Sequence, residues 1–249
     1  MNHSVSICPS GDSAILIQTE QTLDPANIAF IGAAASSIRE ARIIGITDLI
    51  PASCSLMVCY DPTVVSYREL KKQLESALTE NTDSTAHVQR RFVIPAVYGG
   101  VYGPDLARIA EEKGLSCEEV ISIHTSAYYP VYMIGFLPGF PYLGGLDERL
   151  HAKRLEEPRL KIPAGSIGIA GSQTGIYPME SPGGWNLIAR TPVRIFDPSK
   201  KEPVLLRASD LVRFMPVSEK EFEMMEQAVR DGKDVCIEEK GDASWESGL

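Results

Sequence analysis

Two segments of the chain combine turn-forming residues, aromatic rings and neutral hydrogen-bonding groups: GFLPGFPYLGG at 135–145 and PRLKIPAGSIGIAGSQTGIYPMESPGGW at 158–185. Glycine allows a backbone amide to approach a ligand closely, and aromatic side chains form pocket walls. The pattern predicts a pocket for a small polar substrate, although glycines that only turn corners and rings that only fill a core would look the same. The candidate pocket residues are Phe136, Pro138, Gly139, Phe140, Tyr142, Pro163, Gly165, Ser166, Tyr177, Ser181, Gly183, Gly184 and Trp185.

Two cations begin the second segment. Arg159 and Lys161 occupy alternate positions of a short extended run, so both are expected on one face. A planar guanidinium suits a carboxylate or phosphate, which makes Arg159 the better anion anchor. The other interpretation is a solvated edge charge, or an ion pair with Glu156 or Glu157.

Gln173 and Thr174 lie between two glycines in GSQTG. Successive N–H groups in such a loop can form an anion-binding concavity. Turn capping by the two side chains explains the pattern equally well. Ser166 is not part of a Gly-x-Ser-x-Gly elbow, because Ala164 stands two residues before it, so a serine-hydrolase mechanism lacks support.

Among the four histidines, His124 is the candidate for a polar contact or proton transfer. It falls near the end of a helix that SCEEVISIH predicts, where the dipole is expected to raise its affinity for a proton. The alternative is a histidine that only satisfies the helix end. His3 and His87 lie in expected loops, and His151 lies in a charged segment.

The composition narrows the function class. The 249 residues carry a net charge of −9, which argues against nucleic-acid binding because that interaction depends on Lys and Arg. Five scattered cysteines without a Cys-x-x-Cys pair indicate free, buried thiols in a reducing compartment, and the histidine and cysteine spacing supports no zinc site. Without a signal-peptide pattern or a bilayer-length apolar run, we expect a cytoplasmic protein with no membrane partner.

The first part of the chain predicts a small α/β domain, residues 1–85. SAILIQ reads as a strand, Asp24-Pro25 as a helix start, and IGITDLIPA and SLMVCYD as two more strands. Ser66 and Glu69 form a capping box for a second helix. This β-α-β-β-α order predicts helices on one face of an antiparallel sheet. The polar segment 79–89 is the expected domain boundary.

Residues 90–217 predict a β-barrel. This region opens with RRFVIPAVYG, which reads as a strand. Two predicted helices follow, one from Pro104 to Gly114 and one capped by Ser116 and Glu119. Short β runs separated by Pro and Gly then follow: VYMIGFL, GSIGIAG, WNLIARTPVRIF, PVLLRA and LVRFMPV. Residues 218–249 predict a capped C-terminal helix and a frayed tail.

These segments, in this order and spacing, resemble the family of 5-oxoprolinase B subunits. The motifs are GFLPGFPYLGGLD, PRLKIPAGSIGIAGSQTGIYP, SPGGWNLIARTP and RIFDP, dense between about 93 and 198. The family is also called allophanate hydrolase subunit 1 and includes the inhibitor of a sporulation histidine kinase. The sequence departs from it at Ala189 and Ser209, where the family usually has glycine, which puts only local turns in doubt.

The resemblance implies a ferredoxin-like domain followed by a cyclophilin-like β-barrel, an α+β, mostly β architecture. It implies one component of an enzyme that, with the A and C subunits of 5-oxoprolinase, uses ATP to open the lactam ring of 5-oxoproline to L-glutamate. The family motif also carries a histidine at position 124, and we assign catalytic roles to His124, Arg159, Gln173 and Thr174.

The nucleotide has no recognisable motif in this chain. No P-loop and no Gly-x-Gly-x-x-Gly after a strand occurs, so ATP is expected at an unusual site or on a partner subunit, and whether Mg²⁺ accompanies it stays open. The alternative function is inhibition of a sensor histidine kinase through protein–protein binding, without chemistry of its own.

Overall fold

A computed structural model describes residues 5–22, 25–80 and 90–239. The chain divides into two compact units, Met1–His87 and Val88–Leu249. Several sequence-based expectations lie outside the described residues: the Asp24 helix cap, His3, His87, residues 81–89 of the boundary segment and the tail from 240 onward.

The first unit is a four-stranded antiparallel sheet with two helices. Its elements are β1 (Ser6–Pro9), β2 (Ala14–Gln18), α1 (Pro25–Glu40), β3 (Ile46–Pro51), β4 (Ser55–Tyr60) and α2 (Tyr67–Glu80). The strand order is β1-β2-β4-β3. Leu56, Val58 and Tyr60 alternate with half-buried residues along β4 and pack into one apolar cluster with both helices.

The first strand, β1, was not predicted. It is short and none of its residues is fully buried, so its sequence lacks the apolar alternation of a strand on a core. It pairs antiparallel with β2 and forms the edge of the sheet. The remaining strands and both helices of this unit agree with the sequence analysis.

The second unit is larger and mostly β. Its strands are β5 (Arg91–Tyr98), β6 (Tyr129–Ile134), β7 (Pro141–Leu143), β8 (Arg159–Ile162), β9 (Ser166–Ala170), β10 (Gln173–Ile176), β11 (Ser181–Gly183), β12 (Asn186–Arg190), β13 (Leu211–Pro216) and β14 (Ile237–Glu239). Its helices are α3 (Leu106–Lys113), α4 (Cys117–Thr125) and α5 (Glu219–Arg230).

Seven of these strands close into a barrel. Hydrogen bonds run through β12-β9-β10-β7-β6-β13-β5, and β5 pairs again with β12 to complete the ring. The strand β14 adds to β5, and β8 pairs with β11 in a separate ribbon. The predicted fold, a small ferredoxin-like unit followed by a β-barrel, is confirmed.

Local signals in the second unit are mostly confirmed. Gly114 adopts φ 65° at the end of α3, and the capping boxes of α4 and α5 form as predicted. Two expectations were wrong. Helix α3 begins at Leu106 after Asp105, not at Pro104, and PVLLRA forms no strand. Its backbone instead folds against the preceding loop, where Val204 makes an isolated bridge with Phe196.

The five cysteines are free thiols and are half-buried rather than fully buried. In the described parts of the chain, no helix has the length and apolar character needed to cross a membrane.

Candidate functional site

The β8/β11 ribbon carries Arg159 on its inner side. The register between the strands shifts, so that Ser181 pairs with Ile162 while Gly183 pairs with Arg159. This bulge turns Arg159 and Ile162 inward although they are three residues apart. Lys161 points outward, is 79% exposed and pairs with Glu180 at 3.3 Å. The expectation that Arg159 and Lys161 share one face was therefore wrong.

Arg159 uses only part of its guanidinium within the described residues. Its Nη2 donates to Asp105 Oδ1 at 2.8 Å, so neither Glu156 nor Glu157 is its ion-pair partner. Two buried side-chain atoms have no hydrogen-bond partner in residues 5–22, 25–80 and 90–239: Arg159 Nη1 and Ser181 Oγ. Both belong to the ribbon. Because buried polar atoms are nearly always paired, these two are candidates for ligand contact.

An aromatic cluster adjoins the ribbon. Phe140 contacts Tyr142, Tyr177 and Trp185, with ring centroids 4.9, 5.1 and 5.5 Å away. Ile162 from the ribbon packs into the same cluster. The predicted wall residues of both glycine-rich segments thus come together in a buried cluster that shares Ile162 with the strand of Arg159.

Tyr177 links the cluster to the ribbon. A methyl group on Gly183 would lie 2.3 Å from the Tyr177 hydroxyl oxygen, so only glycine leaves room there for the ring. Burial raises the pKa of Tyr177, against the opposing effects of the Trp185 backbone N–H and the nearby charges of Arg154 and Arg159. The phenol therefore stays neutral and can donate or accept a hydrogen bond.

Strand β10 separates this site from the barrel interior. Successive side chains of a strand point to opposite faces. Ile176 belongs to the core cluster of the barrel, whereas Gly175 faces Phe140 and Trp185. Thr174 therefore points into the barrel with Ile176, and Gln173 lies on the aromatic face. The proposed catalytic residues fall on two sides of one strand.

His124 lies inside the barrel in a closed hydrogen-bond chain. The hydroxyl of Thr174 donates to Gly168 O at 3.0 Å, and its oxygen lies 3.0 Å from His124 Nε2. Since Thr174 has one proton to give, it accepts from Nε2–H, and His124 Nδ1 at 2.7 Å accepts from Tyr98. The contacts define a neutral imidazole protonated on Nε2.

The expected effect of the helix dipole on His124 was wrong. His124 occurs in the last turn of α4, as predicted, but it is fully buried, and burial lowers its pKa to about 3. Removal from water penalises the imidazolium more than the helix end favours it. Its proposed part in proton transfer stays a prediction that the observed contacts do not favour.

GSQTG forms a β-hairpin and not an open loop. Gln173 and Thr174 are in β10, and only residues 171–172 turn. The N–H of Gly171 donates to Ala152 O at 2.7 Å, so this amide is not available to an anion. Ser166 is buried at the start of β9.

The remaining pocket candidates are spread around the aromatic cluster and its turns. Phe136 is 62% exposed with φ 67°, a conformation that few side chains adopt, and its ring packs edge-on against Phe140. Pro138 and Pro163 are exposed. Gly139 and Gly165 both have φ 81°, and a methyl group added at Gly184 would meet Leu155 and Pro158 at ordinary van der Waals distances.

Sequence analysis missed Asp105 and Tyr98. Asp105 stands at the N-cap position of α3 but makes no side-chain cap. Its carboxylate instead binds Arg159 and the N–H of Leu187. The only sequence signal was an acidic residue at a helix start, which normally indicates capping alone. Tyr98 ends a buried strand, and nothing in its spacing pointed to His124.

The fold and site define a protein that joins a ferredoxin-like unit to a β-barrel with an aromatic and arginine-containing surface. Residues 5–206 match the family described as "Carboxyltransferase domain, subdomain C and D". The chain is 45% identical over 223 residues to the B subunit of 5-oxoprolinase from Bacillus subtilis, covering 85% of this chain and 92% of the relative. It is 55% identical over 132 residues to the B subunit from Escherichia coli O157:H7, covering 53% of this chain and 61% of that relative.

A solved structure is also similar to this chain. The crystal structure of TTHA0988 superposes with a TM-score of 0.74 at 34% identity, covering 82% of this chain and 40% of the TTHA0988 chain. The chain belongs to the family of 5-oxoprolinase B subunits.

Proposed function

We propose that this chain is one component of an ATP-dependent 5-oxoprolinase and supplies part of the site that binds 5-oxoproline. With the partner A and C subunits, the complex opens the lactam ring to give L-glutamate. The observation that carries the proposal is the pair of buried, unpartnered atoms, Arg159 Nη1 and Ser181 Oγ, on one ribbon beside an aromatic cluster. Membership of the family of 5-oxoprolinase B subunits supports it.

The chemistry of the substrate matches these groups. 5-Oxoproline carries a carboxylate, for which Arg159 Nη1 is a charged donor, and a lactam amide, to which a serine hydroxyl can donate or from which it can accept. The rings of Phe140, Tyr142 and Tyr177 belong to one apolar cluster, in which the half-buried Tyr142 is the ring available to the carbons of the substrate ring. Fixed donors of this kind stabilise charge that develops on an amide oxygen as it is attacked.

We place the nucleotide on a partner subunit. The sequence suggested an anion-binding loop in GSQTG, but its turn at 171–172 belongs to a hairpin and the N–H of Gly171 is already bonded. This bonded amide supports a nucleotide site on a partner subunit. ATP would activate the amide from the partner side, while this chain binds and orients the substrate.

The test is glutamate formation from 5-oxoproline and ATP by the complex reconstituted from this chain and its candidate partners. Omission of this chain is expected to stop turnover. Arg159→Ala is expected to raise the KM for 5-oxoproline by at least about 10-fold, because a hydrogen bond to a charged group contributes roughly 1.5–3 kcal/mol. Lys161→Ala is the matched control, since it removes a cation that lies on the same strand but points to solvent.

Two results would contradict the proposal. Turnover that is undiminished without this chain would remove it from the enzyme. Equal kinetics for Arg159→Ala and Lys161→Ala would show that Arg159 does not bind substrate.

One observation favours inhibition of a sensor histidine kinase as a second candidate function. The Phe136 ring is 62% exposed on a backbone with positive φ, and such strain is commonly found at binding sites. The test is autophosphorylation of a candidate kinase with this chain added. Phe136→Asn keeps a residue that tolerates positive φ but removes the ring, and it should abolish inhibition. The role is rejected if the wild type and Phe136→Asn inhibit the kinase equally, or if neither inhibits it.

A further inference from the structure

Asp105 is a buried carboxylate, 5% exposed, at the start of α3. Its Oδ2 accepts from the Leu187 backbone N–H at 2.7 Å, and its Oδ1 accepts from Arg159 Nη2 at 2.8 Å. An aspartate at this position would ordinarily cap the helix, yet this one makes no cap bond. Its hydrogen-bonding capacity is directed to β12 and to the ribbon.

A second arginine lies near the same oxygen of Asp105. Arg108 Nη2 lies 3.8 Å from Asp105 Oδ1 and donates to Asn186 Oδ1. Asn186 Nδ2 in turn donates to Lys153 O at 2.8 Å and to Ile169 O at 3.1 Å. The carboxylate is thus fixed to the barrel backbone through Leu187 directly and through Asn186 by way of Arg108.

The same unit contains a second buried Asp–Arg ion pair, between Asp210 and Arg90, with a different hydrogen-bond geometry. Asp210 is also 5% exposed and also accepts from a backbone N–H, that of Arg207 at 2.7 Å. Arg90 binds it through both Nε, at 3.0 Å, and Nη2, and Nη2 also donates to Leu205 O at 3.3 Å. This pair is bidentate, and among the described residues Arg90 has no buried side-chain nitrogen that lacks a hydrogen-bond partner.

The Asp105–Arg159 pair uses one nitrogen, Nη2, and leaves Nη1 buried without a partner in the described residues. The two oxygens of the carboxylate have different partners, since Oδ1 accepts from Arg159 Nη2 and Oδ2 accepts from the Leu187 N–H. The guanidinium is therefore held through Nη2, while Nη1 is a buried donor whose hydrogen-bonding capacity is unused in the described residues. That arrangement suits an arginine whose remaining donor serves a ligand.

We infer that Asp105 is a positioning residue, which fixes the Arg159 guanidinium so that Nη1 is presented to the carboxylate of the bound substrate. The inference rests on the proposed function, and it adds a residue that does not itself touch substrate. Asp105 acts through Arg159, so its effect on substrate binding requires the arginine to be present.

A double-mutant cycle in the reconstituted complex tests the inference, with the KM for 5-oxoproline and kcat measured separately. Asp105→Asn keeps an oxygen for the Leu187 N–H but removes the charge that orients Arg159. It is expected to raise KM about 10-fold with kcat within about twofold, as for loss of a binding geometry shared by ground and transition states. In an Arg159→Ala background, the same substitution is expected to change KM by less than about twofold, because coupled residues are not additive.

Asp210→Asn is the control for loss of a buried carboxylate in the same unit. It is expected to lower the thermal unfolding temperature while leaving KM within about twofold, because Asp210 and Arg90 belong neither to the β8/β11 ribbon nor to the aromatic cluster. If Asp105→Asn fails to fold, Asp105→Glu replaces it, since the added methylene moves the carboxylate and is expected to raise KM in the same way. Guanidinium ¹⁵N NMR of the chain alone gives a readout without activity: the slowly exchanging Arg159 signals are expected to vanish in Asp105→Asn.

The outcomes separate the two claims. If Arg159→Ala raises KM but Asp105→Asn does not, or if their effects add, Asp105 does not position the arginine and the inference is wrong. If Arg159→Ala leaves KM unchanged, the proposed substrate site is wrong and the inference falls with it. Unchanged Arg159 signals in Asp105→Asn would also overturn it.

Discussion

His124 Nε2 and Thr174 Oγ1 lie 3.0 Å apart inside the barrel, joining the last turn of α4 to strand β10 across 50 residues of sequence. Because the Thr174 hydroxyl donates its proton to Gly168 O, it can only accept from His124, and this contact decides which nitrogen of the imidazole is protonated. Phe214 stacks on the same ring at 4.7 Å, and the Tyr129 hydroxyl donates to the His124 carbonyl. The histidine is enclosed on all these sides and is held neutral.

The neutral state of His124 predicts a pH dependence of stability. Its pKa is about 3 in the folded chain, against about 6.5 when unfolded, so below pH 6.5 the unfolded state binds one more proton. The stability that this group confers is complete above pH 6.5 and is lost as pH falls toward 3. Between pH 7 and 5 the loss is expected to be about 2 kcal/mol.

The measurement is urea unfolding at several pH values for the wild type and for His124→Gln. The variant lacks this titration, so its stability should fall by about 2 kcal/mol less over the same interval, whatever its stability at pH 7. Parallel pH profiles of the two proteins would show that His124 is not buried and neutral.

Thr174→Val tests the hydrogen-bond chain itself. Valine has nearly the shape of threonine, but it leaves the His124 Nε2–H without a partner in a buried position and removes the side-chain hydrogen bond to the Gly168 carbonyl. We expect a loss of about 1–3 kcal/mol in the free energy of unfolding. Thr174→Ser is the control, because it keeps both hydrogen bonds and loses one methyl group, worth about 1 kcal/mol. A valine variant no less stable than the serine variant would disprove the role assigned to the hydroxyl.

Gly183→Ala tests the close packing of the ribbon on the aromatic cluster. The new methyl would meet Tyr177 Oη at 2.3 Å and Ile162 Cδ1 at 2.9 Å, so the ribbon or the ring has to move. Overpacking of this kind costs about 1–3 kcal/mol of stability. At the neighbouring Gly184 the nearest atoms are 3.7 Å away, and alanine there should have little effect.

Tyr177→Phe provides a second arm for the Gly183 experiment. Removal of the hydroxyl should reduce the cost of Gly183→Ala by at least about 0.5 kcal/mol, since residues in contact are coupled. Strict additivity of the two substitutions in denaturant unfolding would mean that the ring and the ribbon do not touch.

Cys236 is expected to be an unreactive thiol. Burial raises its pKa to about 12, and its Sγ lies 3.7 Å from Val93 O. Since the thiolate is the reactive form, its reaction with a disulfide reagent at pH 8 should be roughly 10³-fold slower than that of an unperturbed cysteine. The measurement uses a variant in which the other four cysteines are serine, and the same variant unfolded in urea is the control. Equal rates in both states would contradict the burial of this thiol.

Much of the fold could be predicted from local patterns. Strand β4 shows the period-two alternation of a half-buried strand, and the boxes Ser116/Glu119 and Ser218/Glu221 mark two helix starts, all of which were confirmed. Strand β1 was not predicted because its residues are at most half-buried. PVLLRA was wrongly predicted as a strand because its apolar residues pack without a sheet partner on both sides. Local propensity fails where neighbouring elements decide the outcome.

The sequence by itself determined the architecture, the family and the membership of the aromatic cluster, because these follow from periodicity, turn chemistry and long motifs. Only the tertiary structure decided the state and the partners of the polar groups. The bulge in β8 separated Arg159 from Lys161, the alternation of β10 put Thr174 and Gln173 on opposite faces, and burial made His124 neutral. Charge and hydrogen bonding depend on which residues meet and how much water remains, and both are properties of the folded chain.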